Sequence, residues 1–116
     1  MNCNSLKIAA FAASVIATLG VCAPAQAADE AAARSLARQS NCFKCHNVDK
    51  KKEGPSFKDT AAKYAGKPGA QDRLVKHITS GEKAKFEDGH EEDHTIVKSK
   101  DDKEIRNLID WILSVK

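Results

Sequence analysis

The chain has 116 residues, with four cysteines, six aromatics and 19 lysines and arginines against 16 acidic residues, for a formal charge of +3. That length makes one domain with a thin hydrophobic core. The near balance of charge supplies no strongly basic face, so nucleic-acid binding is set aside.

Residues 1–27 read as an export signal. Lys7 provides the positive charge, Ile8 to Val21 is a run without charges, and Ala25-Gln26-Ala27 is a small-residue cleavage site. The run is too short for an ordinary membrane span, and the competing readings are a lipid anchor on Cys22 or an uncleaved signal. Cleavage after Ala27 leaves a mature domain over residues 28–116, without Cys3, Cys22 or the sole methionine, Met1. Only Lys7 is lost among the charged residues, so 18 basic groups face 16 acidic ones. The mature form carries no membrane span and is expected in the periplasm.

Asp29 is a suitable helix N-cap, and the alanine-rich stretch Glu30 to Ser40 sets Ala33, Leu36 and Ala37 on one stripe. This helix is expected to run straight into Cys42. There the sequence reads Cys42-Phe43-Lys44-Cys45-His46, two cysteines three positions apart and then a histidine. On a helical turn, positions i and i+3 share a face, so both thiols can form thioethers to one porphyrin, and the next residue can offer its imidazole to the iron. Cys42 and Cys45 are then the covalent tethers of one haem c and His46 is the proximal ligand. A redox disulfide would call for a strand before the motif, which is lacking. A structural zinc would have to recruit His77, His90 and His94 at no familiar spacing. Haem attachment also belongs outside the cytoplasm, in keeping with the export signal.

Past the motif, Lys50-Lys51-Lys52 forms a basic patch. A middle helix is expected over Ala70 to Ser80, carrying Leu74, Val75 and Ile78, with Gly81 as its stop. Glu87 to Asp93 is acidic, and within it His90-Glu91-Glu92-Asp93-His94 matches the His-Glu-x-x-His pattern of zinc proteases. Gly89 at its start, few apolar neighbours and no further histidine argue against that chemistry. The last helix has Ile105, Leu108, Ile109, Ile112 and Leu113 on a buried face, with Asp101 or Ser99 as its cap and Trp111 as core packing. No alternating run demands a strand, so the fold class is all-α.

Four stretches together resemble the small class I cytochromes c of the bacterial c-551/c8 type: Asn41 to His46, Glu53 to Asp59, Ala62 to Gly66, and Glu104 to Ser114. The resemblance implies that the first and last helices cross around one covalent haem. It also implies that the Pro55 carbonyl accepts a hydrogen bond from the proximal imidazole, and that Tyr64 packs near the haem. The plainer readings are a loop-shaping proline and ordinary helix packing.

The departure lies on the distal side, where that family places a methionine. Counting back from Glu104-Ile105 puts His94 at the methionine position, so a bis-histidine haem of lowered midpoint is expected. His90 is the second choice, and His77 or an open or lysine-filled position are further alternatives. The resemblance extends to periplasmic shuttles of iron-oxidising bacteria, whose partners are multihaem or inner-membrane cytochromes. The chain is read as an electron carrier and not an enzyme. A sensor with a detachable distal histidine, a haem peroxidase and the zinc protease are the competing functions.

Overall fold

The computed structural model describes residues 27–116. The export segment expected over 1–27 lies outside the described residues apart from Ala27. Five helices and one hairpin follow in order: α1 Glu30–Gln39, α2 Cys42–Cys45, α3 Phe57–Tyr64, α4 Ala70–Ser80, β1 Lys83–Lys85, β2 Glu91–Asp93 and α5 Asp102–Ser114. Among the described residues no helix is long and apolar enough to cross a membrane.

Helix α1 begins at Asp29, whose carboxylate accepts from the Ala32 amide at 3.0 Å, and buries Ala33, Leu36 and Ala37 as the spacing predicts. It does not run into the Cys42 turn. Asn41 takes a left-handed backbone, φ 58°, and breaks the axis. Asparagine tolerates that conformation better than most side chains, which is why the break falls there. Ser40 beside it is buried, and its hydroxyl accepts the Lys98 amide at 3.0 Å, tying the end of α1 to the approach of α5.

Helix α5 is the centre of the core. Leu108 and Ile109 are each 1% exposed, and Trp111 meets Phe57 edge-on at 5.5 Å. A fully buried aliphatic side chain of this kind contributes roughly 1.5–3 kcal/mol. Asp101 caps α5 by accepting from Lys103, while Ser99 accepts from Asp101 and donates to Glu104. Helices α1, α3 and α4 all pack on α5. Asp29 and Asn107 exchange two hydrogen bonds, 2.8 and 2.9 Å, and so fix the start of α1 against α5.

Two elements depart from the sequence reading. Helix α3 has only Phe57 and Ala61 buried, too short a stripe to stand out by period, and is started by the fully buried Ser56 accepting from Asp59. The hairpin β1–β2 adds a small two-stranded sheet to a fold that is otherwise helical, as expected. Its register, Lys83 opposite Asp93 and Lys85 opposite Glu91, coincides with ion pairs at 2.6 and 3.4 Å. It therefore carries no apolar alternation that period-2 patterning could detect. Helix α4 lies where expected and ends at Gly81, whose φ of 67° suits glycine.

Candidate functional site

Helix α2 is a single turn, and its geometry aims three side chains at one place. The His46 amide closes the turn on the Cys42 carbonyl at 2.9 Å, after which the backbone becomes extended and the imidazole turns inward. Its Nδ1–H donates to the Pro55 carbonyl at 2.7 Å, which leaves Nε2 unprotonated. Phe57 stacks on the ring with centres 5.5 Å apart and planes 22° apart. Gly54 passes so close that a Cβ there would lie 2.6 Å from the ring carbon Cε1. Burial lowers the His46 pKa, against the Pro55 bond, which raises it. The net effect favours the neutral imidazole that metal coordination needs.

Cys42 and Cys45 form no disulfide with each other. Burial raises the Cys42 pKa; at Cys45 burial and then the Glu53 carboxylate, 3.5 Å from its sulfur, do the same. A redox Cys-x-x-Cys pair needs the opposite shift, and this pair follows a helix rather than a strand. The described residues hold no cluster of three or more histidine, cysteine or acidic groups placed to share a metal ion.

Cys42, Cys45 and His46 line a cavity of about 670 Å³ together with Pro55, Tyr64 and His94. Its floor is the buried face of α5, including Leu108, Ile109 and Ile112. His94 follows β2 directly. Its amide donates to the Glu82 carbonyl at 3.1 Å and its Nδ1–H to the Thr95 carbonyl at 2.9 Å. Burial lowers its pKa, and the neighbouring His77 lowers it further. The His46 and His94 ring centres are 6.1 Å apart, with planes at 44°. Two imidazoles bonded to one metal from opposite sides, each with a bond of about 2 Å and roughly 1.1 Å from donor nitrogen to ring centre, would have their centres about 6.2 Å apart.

His90 lies outside this cavity. At the hairpin tip it stacks on Phe86, centres 4.2 Å apart, and pairs with Asp88. The His-Glu-x-x-His segment is a strand rather than a helix, so His90 and His94 serve different surroundings and do not converge on a metal. His77, expected as a surface or boundary histidine, stands in the cavity wall with its ring centre 4.2 Å from that of His94. The closeness of Gly54, the Phe57 stack and the Glu82–His77 contact carry no signal by period or motif. The Gly54-Pro55 pair directly before Ser56 is the one local hint of a tight approach.

A helical shell with an apolar floor and one Cys-x-x-Cys-His turn defines a haem-carrying electron-transfer protein. The family model for cytochrome c matches residues 30–116, and the chain belongs to that family. It is a class I cytochrome c fold with one covalently bound haem c, a carrier that works with redox partner proteins. The crystal structure of class 1 cytochrome MtoD from Sideroxydans lithotrophicus ES-1 is similar, with 59% identity, a TM-score of 0.73, and coverage of 77% of this chain and 98% of that one. Cytochrome c-552 of Hydrogenobacter thermophilus is 36% identical over 81 residues, 70% of this chain and 79% of that protein. The match to cytochrome c-551 of Allochromatium vinosum, 50% identical, spans 40% of this chain and about half, 49%, of that protein.

Proposed function

We propose that the chain is an exported, periplasmic electron shuttle whose haem is tethered by Cys42 and Cys45 and held between His46 and His94. The observation that carries this reading is the 6.1 Å separation of those two rings across the cavity. The haem supplies a one-electron ferric–ferrous couple. The protein's part is to hold two neutral imidazoles, keep the apolar floor dry and leave no vacant coordination position. Pro55 orients His46 through its carbonyl and strengthens it as a donor, and Tyr64 packs in the cavity wall. Two imidazoles favour the ferric state more than a histidine–methionine pair does, so a lower midpoint follows.

The redox partners expected for such a shuttle are multihaem or inner-membrane cytochromes. The basic patch is smaller than its sequence suggests. Lys51 pairs with Glu87 and Lys52 donates to the Phe43 carbonyl, which leaves Lys44, Lys50 and Lys58 as the steering charges for an acidic partner.

The test is electron paramagnetic resonance of the oxidised holoprotein. A low-spin bis-imidazole signature is expected, changed by His94→Ala and left as it was by His90→Ala. A His94→Ala spectrum identical to the unsubstituted protein would refute the assignment.

A further inference from the structure

We propose that His77 is a second distal imidazole, able to take the iron's far position when His94 leaves it. This rests on the His46–His94 reading above and adds a ligand that reading does not use. His77 comes from α4, whereas His94 hangs from the end of the hairpin. Their ring centres are 4.2 Å apart with planes at 46°, and both stand in the wall of the cavity that His46 enters.

The three imidazoles share one chemical arrangement. Each has Nδ1 against an oxygen: His46 against Pro55, His94 against Thr95 and His77 against the Glu82 carboxylate at 2.7 Å. With Nδ1 carrying the proton, each Nε2 keeps its lone pair. That is the state of a ligand histidine, whose other nitrogen is nearly always committed to a carbonyl or carboxylate. In its resting position the His77 ring is held by a carboxylate, the stronger of the two kinds of partner.

The plainer reading is a surface ion pair between His77 and Glu82. An exposed pair would have its ring in solvent, yet the His77 side chain is only 28% exposed and lies against another imidazole. Glu82 is held in place by Arg73 as well, at 2.7 Å, and its carbonyl accepts the His94 amide. The same residue therefore backs His77 and anchors the backbone of His94. Moving the His77 ring by about 4 Å is within the sweep of one side-chain rotamer change. With haem bound, one iron–nitrogen bond would break and another would form. The exchange would consume no electron.

The experiment compares ferric holoproteins by absorption and paramagnetic resonance: His94→Ala, His94→Ala with His77→Ala, and His94→Ala with His77→Gln. The glutamine variant retains a hydrogen-bonding partner for Glu82 without an iron ligand. The single variant is expected to stay low-spin with shifted g values, and both double variants to lose the low-spin signal. Free imidazole added to the double variants should restore it, which shows that the domain is folded. A high-spin single variant would overturn the inference and leave the His46–His94 reading intact. Low-spin double variants would overturn it too, because another group would then be filling the site. An unaltered spectrum in the single variant, lost in the doubles, would make His77 the resident ligand and overturn both readings.

Discussion

Gly54→Ala tests the proximal side. A Cβ at this position would sit 2.6 Å from Cε1 and 2.9 Å from Nδ1 of His46, and 3.2 Å from the Cys45 carbonyl oxygen. Ordinary contact begins at 3.4 Å, so the ring must withdraw by roughly 0.8 Å or the backbone must give. Neither can move freely. The ring is bonded to Pro55 at 2.7 Å, and the Gly54 amide donates to Cys45 at 2.8 Å. A displacement of that size takes the His46–Pro55 bond beyond useful geometry. Overpacking of this kind costs about 1–3 kcal/mol, offset by about 0.4–1 kcal/mol because alanine restricts the unfolded chain. The net loss, at most about 2.6 kcal/mol, lowers the melting temperature of a domain this size by up to about 20 °C. The weakened bond also makes His46 a poorer donor to ferric iron, so the midpoint potential rises. Thermal melting and equilibrium potentiometry of the holoprotein measure the two effects. Unchanged values in both would refute the claim that Gly54 is required by the closeness of the imidazole.

Three further outcomes are expected. The Asp88 carboxylate raises the His90 pKa, and His90 lowers that of Asp88, first through its backbone amide. The hairpin tip is therefore stabilised above the usual carboxylate range, loses that support as pH falls through the lowered Asp88 value, and loses it again as pH rises through the raised His90 value. A nuclear magnetic resonance titration should find His90 above the ordinary histidine value and Asp88→Asn should bring it down; an unmoved midpoint would contradict the pairing. Ser40→Ala removes the part-buried bond from the Lys98 amide to the Ser40 hydroxyl and should cost about 0.5–1.5 kcal/mol in urea unfolding; a loss below a few tenths would mean that the bond does not hold the end of α1 to the approach of α5. Electron-transfer rates with an acidic partner should fall as salt rises if Lys44, Lys50 and Lys58 steer the encounter, and a flat dependence would remove that role.

What could be read from the sequence was whatever is local. The Cys42–His46 turn, the buried stripe of α5, the Asp29 and Asp101 caps and the stop at Gly81 each depend on residues within a turn or two of one another, and each lies where the pattern puts it. The Asn41 break was missed because a left-handed asparagine leaves no mark in a helical period. The hairpin was missed because complementary charges facing solvent align with its strands, and Phe86 and His90 close the tip. His77 looked like a boundary residue because its significance depends on His94, which is seventeen positions away and brought alongside only by the turn at Gly81 and the hairpin.

The two sides of the cavity are built from unlike materials, and that bears on how the distal side is held. Everything that positions His46 lies between Cys42 and Phe57 and consists of hydrogen bonds to backbone carbonyls, a ring stack and a close-packed glycine. His94 depends instead on a hairpin whose cross-strand ion pairs are exposed, each worth about 0–1 kcal/mol. A two-stranded hairpin of this length is marginal by itself. The fixed points are the His94 amide on Glu82 and the Val97 amide on the Ile78 carbonyl at 2.8 Å, both anchored to α4 or its end. Position on the distal side is thus set from α4, the helix that also carries His77. Strain that frees the hairpin removes His94 from the cavity and leaves the second imidazole where it was.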